Sequence, residues 1–242
     1  KWFLNFFTDP YFGRLLKNTF LISGLTILFG FPAPIILALM INEVKNSAFK
    51  RTVQTITYMP YFISMVVLCG LLKTFCMQDG LFAQIAVLFG GKAQNYLANP
   101  AYFRTIYVLS DIWSGIGWNS IIYLAALSSI DQEQYEAARV DGANRFEQMI
   151  HITLPGLVPT IMVLFILRMG NILNVGYEKI LLLYNSATYS TADVISTYTY
   201  RLSFGGSGNP MYSKSTAIGL FNTIINVFFL MLTNMISKKA TD

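Results

Sequence analysis

Long apolar stretches alternate with short polar segments along the whole chain. A helix needs about 20 predominantly apolar residues to cross the hydrocarbon core of a bilayer, because it rises only about 1.5 Å per residue. Five stretches have this length and composition: Asn18–Ile41, Thr57–Met77, Phe103–Leu127, Gly156–Gly176 and Ser215–Ser237. The pattern therefore predicts an all-α fold, a polytopic bundle of transmembrane helices that forms a single membrane domain over residues 1–242.

The composition excludes most classes of soluble protein. Hydrophobic residues make up 54% of the 242 residues and charged residues only 12%, whereas roughly a quarter of the residues of a soluble domain are charged. Such a chain has too few polar side chains to cover a water-facing surface, so we expect it to be embedded in a lipid membrane. Its net charge of +5 is not concentrated on one element, and no nucleic-acid partner is expected.

The basic residues of the short loops indicate the orientation of the helices, because lysine and arginine are more frequent in cytoplasmic loops. Three connections on the same side of the membrane are dense in these residues: Lys45, Lys50 and Arg51; Arg139 and Arg145; and Lys238 and Lys239. We assign this side to the cytoplasm. Lys1–Lys17 then lies outside, and we expect a sixth helix upstream of Lys1.

A charged segment in the cytoplasmic loop 128–155 interrupts the apolar pattern. It has the form E-A-A-x3-G-x9-I-x-L-P, with these defining residues: Glu136, Ala137, Ala138, Gly142, Ile152, Leu154 and Pro155. The periodicity predicts one amphipathic helix that ends at Leu154-Pro155, with Ala138 and Gly142 close to one face. Small residues on that face would let another protein approach closely. The alternative is a solvated helical linker without a partner.

This spacing resembles the EAA motif in the permease subunits of ABC importers. Three further stretches are similar to the carbohydrate branch of that family, and within it to permeases for complex oligosaccharides of the alginate-importer kind: "YMPYFISMVV" (58–67), "LSDIWSGIGWNSIIYLAALSSID" (109–131) and "ATYSTADVISTYTYR" (187–201). The resemblance implies the type I importer permease fold, in which six helices are usual, and a place in the bacterial plasma (inner) membrane.

The resemblance also implies a mechanical role for the EAA loop. In such permeases the EAA helix docks into a groove of a separate ATPase subunit and transmits its closure to the membrane helices. Glu136 would face a basic residue of the ATPase, Ala137 and Gly142 would permit the close fit, and Leu154 and Pro155 would anchor the helix to the membrane segment.

The implied assembly contains several other molecules. These are a second homologous permease, two ATPase subunits, an extracytoplasmic solute-binding protein and an oligosaccharide solute. The loops Gln78–Tyr102 and Tyr177–Lys214 would meet the binding protein. The chain has no G-x4-G-K-[ST] sequence, so we expect ATP and Mg²⁺ to bind in the partner ATPase, and neither a cofactor nor enzymatic activity in this chain.

Polar side chains within the predicted membrane helices are candidates for the solute pathway, because such residues usually face the bundle interior or water. The candidates are Asp111, Trp118, Asn119, Arg168, Asn171, Asn222 and Asn226. Packing between helices is the alternative for each of them. Arg168 needs a partner, and either Asp111 or a carboxylate of an acidic sugar could supply it.

Three other functions remain as alternatives. The chain could carry another solute class, such as a peptide or a polyol. A passive channel would not need a coupling helix. An intramembrane enzyme would need clustered catalytic groups, whereas Asp111 and Arg168 are isolated in the sequence, and one histidine, His151, does not make a metal site.

Overall fold

A computed structural model of the chain describes residues 2–205 and 209–241, and these residues are helical without any strand. Residues 206–208 of the predicted external loop lie outside the described residues. The helices in chain order are α1 Trp2–Phe7, α2 Phe12–Leu25, α3 Pro32–Glu43, α4 Ser47–Tyr58, α5 Met65–Cys76, α6 Leu81–Leu88, α7 Pro100–Ser128, α8 Gln132–Val140, α9 Arg145–Gln148, α10 Leu154–Met169, α11 Tyr177–Leu183, α12 Tyr189–Ala192, α13 Ile195–Phe204 and α14 Tyr212–Thr241. The prediction of an all-α bundle is confirmed.

The predicted membrane-spanning helices are present. Four helical segments in the described part of the chain are long and apolar enough to cross a membrane: Phe12–Glu43, Met65–Leu88, Arg145–Met169 and Tyr212–Lys238. They correspond to the first, second, fourth and fifth predicted helices. The third is α7, whose 29 residues give it a length of about 43 Å. It is long enough to span a bilayer but more polar than the other four.

The predicted start of the second helix, Thr57–Met77, is wrong. Met59–Phe62 forms a 3₁₀ turn and the backbone at Ser64 is extended, so that α5 begins only at Met65. Pro60 disfavours a continuous helix because it has no N–H to donate. The Ser64 hydroxyl then caps the new helix by accepting a hydrogen bond from the Val67 N–H at 3.4 Å.

The predicted end of the fourth helix, Gly156–Gly176, is also wrong, because α10 stops at Met169. The chain then turns, and the side-chain oxygen of Asn226 on α14 accepts a hydrogen bond from the Leu173 N–H at 3.0 Å. A side chain 53 positions further along the chain therefore stabilises this turn. Nothing in the local sequence indicates it.

Two turns of π-helix lie directly before prolines. Thr26–Gly30 precedes Pro32, and Met149–Thr153 precedes Pro155. A proline inside a helix lacks an N–H, and its ring clashes with the carbonyl four residues earlier. A wider turn moves that carbonyl away, so the helix can continue past the proline. In this way Phe12–Glu43 and Arg145–Met169 each remain one helical segment.

Helix α7 lies at the centre of the bundle and packs against α3, α4 and α10. Its contact with α4 is close because Gly117 has no side chain. A Cβ at Gly117 would lie 2.1 Å from the carbonyl oxygen of Thr57. Near the end of the bundle that carries the EAA motif, which we call the motif end, the α3 residue Ala38 and the α10 residue Leu157 pack against Leu127 of α7.

At the opposite end, a buried carboxylate links three parts of the chain. The two oxygens of Asp193 accept hydrogen bonds from Arg201 at 2.8 Å each, and Arg14 lies 3.4 Å from one of them. The hydroxyl of Thr197 donates to the same carboxylate at 2.8 Å. These contacts hold the segment after α12 against α2 and α13.

A second carboxylate extends this network to α1 and α14. Asp9 accepts hydrogen bonds from Lys214 at 2.8 Å and from the Tyr198 hydroxyl at 2.6 Å. Burial by itself raises the pKa of Asp9, but these hydrogen bonds outweigh the effect of burial and hold the pKa below its ordinary value.

Replacing Asp193 by asparagine is expected to destabilise the protein. The change leaves Arg201 and Arg14 without their counter-charge, and we expect a loss of about 2 kcal/mol. This is less than the 3–5 kcal/mol typical of a fully buried pair, because both arginines are about one third exposed. Thermal unfolding of the detergent-solubilised protein measures the effect. Asp79→Asn, at an exposed turn, is the control, and equal melting of the two variants would contradict the prediction.

Candidate functional site

The EAA motif forms two helices joined by a turn, whereas the sequence predicted one helix. Helix α8 ends at Val140, and α9 begins at Arg145. Between them Gly142 has a φ of +84°, a conformation that residues with a Cβ rarely adopt. The predicted face shared by Ala138 and Gly142 therefore does not exist as one helical surface.

Gly142 is the residue that ends α8. The Gly142 N–H donates to the carbonyl of Arg139 at 3.1 Å, and the Ala143 N–H donates to the carbonyl of Ala138 at 2.8 Å. This is the pair of bonds of a Schellman motif, which requires a left-handed residue at the position of Gly142. A Cβ added to Gly142 would contact nothing within 4 Å. The glycine is needed here for its backbone conformation and not for a close contact within this chain.

The second half of the motif begins with a strong helix start. The Asn144 side chain accepts hydrogen bonds from the N–H groups of Phe146 and Glu147, while the Glu147 carboxylate accepts from the Asn144 N–H at 2.7 Å. Both halves of a capping box are thus present. The π-helical turn follows and contains Ile152, which is half-buried, and Leu154 and Pro155 then begin α10.

Helix α8 is tied to the start of the membrane helix. The Tyr135 hydroxyl lies 3.0 Å from the hydroxyl of Thr153, and the Gln148 side chain donates to the Ala143 carbonyl at 2.9 Å. Arg145 lies 3.4 Å from Glu43 at the end of α3, but this pair is mostly exposed and contributes little to stability. These contacts connect α8 and the turn after it to the segment that leads into α10.

The outer surface of the motif is exposed. Glu136 and Ala137 are exposed on α8, whereas Ala138 is half-buried. Two large apolar residues stand beside them in solvent, Val140 at 88% exposure and Phe146 at 64%. The sequence analysis missed these two residues. The sequence could have indicated them, because each is an apolar residue among charged ones and they lie on either side of Gly142.

A cleft of about 390 Å³ opens between the α2–α3 segment, α7 and α10. It contains four of the seven predicted pathway residues: Asp111, Asn119, Arg168 and Asn171. A neighbouring cavity of about 230 Å³ shares Asp111, Arg168 and Asn171 with it and reaches Tyr107 and Asn174. The two cavities form a space lined by both apolar and polar residues, which we call the central cleft.

Asn171 reaches the central cleft from a turn and not from a helix, because α10 ends before it. Its side chain donates to the carbonyl of Leu167 at 3.1 Å and accepts from Asn174 at 3.1 Å. The predicted helix Gly156–Gly176 would have placed Arg168, Asn171 and Asn174 on one helix. The structure places only Arg168 on α10 and the two asparagines in the turn after it, although all three line the cleft.

Asp111 pairs with Lys179 and not with Arg168. The Lys179 Nζ lies 3.3 Å from a carboxylate oxygen of Asp111 and donates to the Tyr107 carbonyl at 3.1 Å. It also lies 4.6 Å from the centre of the Tyr107 ring. The Lys179 side chain is only 2% exposed. The sequence analysis counted Lys179 among the residues of an outer loop, and the apolar run that follows it was the available sign of burial.

The other three predicted pathway residues do not line the central cleft. Trp118 stacks on Tyr61 at 4.7 Å between ring centres and is partly exposed. Asn226 is buried and engaged with the turn at Leu173. Asn222 is half-buried, and within the described part of the chain its buried side-chain oxygen has no hydrogen-bond partner.

Comparison with known families gives one extensive match. The family model described as "Binding-protein-dependent transport system inner membrane component" matches residues 30–242. Two curated relatives come from Bacillus subtilis (strain 168). The chain is 43% identical to the protein LplB over 239 residues, covering 98% of this chain and 74% of LplB. It is 42% identical over 240 residues to the polygalacturonan/rhamnogalacturonan transport system permease protein YteP, covering 99% of this chain and 74% of YteP.

Solved structures match over nearly the whole fold. The crystal structure of a bacterial ABC transporter involved in the import of the acidic polysaccharide alginate superposes with a TM-score of 0.95 and 46% identity, over 100% of this chain and 84% of the matched chain. A structure of a bacterial alginate ABC transporter in complex with an alginate pentasaccharide-bound periplasmic protein gives a TM-score of 0.94, also at 46% identity, over 99% and 83% of the two chains.

Proposed function

The chain belongs to the family of binding-protein-dependent transport system inner membrane components, and from this premise we propose its partners, its coupling element and its solute path. It is a membrane-spanning permease subunit of a carbohydrate ABC importer. The observation that carries this conclusion is the match of the complete fold, at 46% identity, to an alginate importer. Residues 1–242 would act as one multi-pass permease domain of a bacterial plasma membrane.

The solute is an oligosaccharide. The relative YteP and both matched structures are named for polysaccharide or oligosaccharide transport. A peptide or a polyol is therefore not favoured as the solute. Neither a passive channel nor an intramembrane enzyme is favoured, since the family is a transport family.

We propose three kinds of protein partner for this chain. A second homologous permease would complete the path through the membrane, and two ATPase subunits would bind ATP and Mg²⁺ and supply the energy. A solute-binding protein would dock at the end opposite the motif, on the exposed residues of Gln78–Tyr102 and Tyr177–Lys214. Lys179, Ile180 and Leu183 within the second range are buried and would not take part. The periplasmic protein bound in one of the matched transporter structures supports this last partner.

We propose that the loop 128–155 couples the ATPase to the membrane helices. Its outer surface offers Glu136 as a charge and Val140 and Phe146 as apolar contacts, all exposed. Buried apolar residues surrounded by polar ones are typical of protein interfaces. The hydroxyl contact from Tyr135 to Thr153 supports transmission from α8 to α10.

We further propose that solute passes along the central cleft. Asn119, Arg168 and Asn171 would contact it, because amide and guanidinium groups match the hydroxyl and carboxyl groups of sugars. Asp111 would line the path beside them, with its carboxylate paired to Lys179. Trp118 is a candidate for the border of this path. Asn222 and Asn226 are assigned to helix packing, since Asn226 is engaged with the Leu173 turn.

Replacing Glu136 by alanine is expected to reduce oligosaccharide uptake at least about tenfold, because truncating one member of a buried, hydrogen-bonded charge pair at an interface typically costs about 2 kcal/mol or more. The test measures uptake by the reconstituted importer and recovery of the ATPase subunits with the detergent-solubilised permease. Gln134→Ala, exposed on another side of α8, is the control. If wild-type protein recovers no ATPase, or both variants transport normally, the coupling proposal is wrong.

A further inference from the structure

We infer that the central cleft selects oligosaccharides that carry carboxylates, with Arg168 as the binding residue and Lys179 as a positioning residue. This inference rests on the proposed solute path. The sequence alone left two partners open for Arg168: Asp111 or a carboxylate of the solute. The position of Lys179 is the observation that distinguishes them.

Charged side chains of both signs line the central cleft. Asp111 and Arg168 both line the two cavities of the cleft. Left alone, an aspartate and an arginine that line the same low-dielectric space would attract each other strongly. The buried Lys179 instead pairs with Asp111 at 3.3 Å and is fixed there by the Tyr107 carbonyl. Lys179 therefore neutralises Asp111, the acidic residue among the described residues that line the two cavities.

Arg168 lines the cleft as a cation without a neighbouring acidic partner in the described part of the chain. Within the residues that the structure describes, no carboxylate lies at ion-pair distance from its guanidinium. Its side chain is exposed to the cleft rather than packed away. A cation within a membrane bundle requires a counter-charge or water. The central cleft thus carries one net positive charge, which favours an anionic solute.

The hydrogen-bonding groups of the cleft indicate the chemistry of the ligand. A guanidinium presents a planar pair of donors that binds a carboxylate through two parallel hydrogen bonds. The amides of Asn119 and Asn171 in the same cleft can bind hydroxyl groups. Together these groups suit a uronic-acid oligosaccharide. The names of two matches, to polygalacturonan/rhamnogalacturonan and to the acidic polysaccharide alginate, agree with this class.

The experiment uses the complete importer in proteoliposomes with its binding protein. Uptake is measured for oligosaccharides from partial digests of polygalacturonate and alginate, and for the same oligosaccharides after chemical reduction of their carboxyl groups. The readout is the ratio of the KM values for the acidic and the reduced forms. Arg168→Gln is expected to lower the preference for the acidic form about tenfold, the effect of losing one charge-assisted pair, and Arg168→Lys should fall between Arg168→Gln and the wild type.

Lys179 is tested by a double substitution. Lys179→Gln releases Asp111 to pair with Arg168, so we expect it to lower the same preference. Asp111→Asn added to Lys179→Gln removes the competing carboxylate, and the preference should return to within about threefold of the wild type. Arg51→Gln, an exposed cation on α4 away from the cleft, is the control for the loss of a positive charge and should leave the ratio unchanged.

The outcomes separate this inference from the function on which it rests. If Arg168→Gln slows acidic and reduced oligosaccharides equally, or if the double variant keeps the defect of Lys179→Gln, the inference is wrong while the transport function stands. The same holds if the wild-type importer prefers the reduced forms. If the wild type transports none of these oligosaccharides, the proposed function fails and the inference fails with it.

Discussion

Replacing Gly142 by valine is expected to reduce uptake strongly, although a Cβ added at this position would contact nothing within 4 Å. The backbone at this position has a φ of +84°, and a β-branched residue there is a strong outlier. Even an unbranched L-residue costs roughly 1–2 kcal/mol in this conformation. A cost of this size is enough to break the two hydrogen bonds that end α8, and α8 would then take another direction relative to α9.

The loss of uptake follows from the proposed role of the loop. A misdirected α8 cannot present Glu136 and Val140 to the ATPase in the required geometry. The chain would still fold, but ATP hydrolysis would no longer move its membrane helices. The measurements are uptake and solute-stimulated ATP hydrolysis by the reconstituted importer, and we expect both to fall at least about tenfold, the factor that corresponds to 1.4 kcal/mol.

The control for this prediction is a substitution at the same site. Gly142→Asn adds a side chain of similar bulk, but asparagine tolerates the left-handed conformation, and a Cβ at this position contacts nothing. It should therefore retain most of the activity. An asparagine variant as inactive as the valine variant would show that bulk matters rather than backbone conformation.

Replacing Gly117 by alanine is expected to have the largest effect on stability. The new Cβ would lie 2.1 Å from the Thr57 carbonyl oxygen and 2.9 Å from the backbone nitrogen of Tyr58. Both neighbours are backbone atoms and cannot rotate away, so α4 and α7 must separate. Overpacking typically costs about 1–3 kcal/mol, and we expect at least the upper value here, or a fall in melting temperature of roughly 10 °C.

Thermal unfolding of the detergent-solubilised protein measures this effect, and Gly70 offers a matched control. Gly70 lies within α5, where an added Cβ has nothing within 4 Å. Gly70→Ala should be neutral or slightly stabilising, because alanine has a higher helix propensity than glycine. If the Gly117→Ala and Gly70→Ala variants have the same melting temperature, the close approach of α4 and α7 does not limit stability.

The helices of this chain could be predicted from neighbouring residues, but some of their ends depend on residues far away in the sequence. The existence of the long helices could be predicted because the length and apolar character of a segment are local properties. Helix ends could be predicted less well. Ser64 caps α5 through its own side chain, but the end of α10 depends on Asn226 of α14. A contact between distant residues leaves no signal in either segment alone.

The EAA motif shows the same division within one short loop. Its spacing was readable from the sequence, and the residues Glu136 and Gly142 were found in that way. The conformation was not, because the same positions satisfy the periodicity of one long helix. Only the positive φ of Gly142 shows that the glycine ends a helix, and this ending is what exposes Val140 and Phe146.

The sequence by itself determined that this chain is an all-helical membrane protein and which loop carries the EAA motif, because hydropathy and spacing are properties of neighbouring residues. The tertiary structure alone decided the charges of the central cleft. Lys179 and Asp111 are separated by 68 positions, and only the folded chain brings them within 3.3 Å. A charge acts on whatever lies near it in space. Whether Asp111 pairs with Arg168 or with Lys179 therefore could not be determined before the helices were placed.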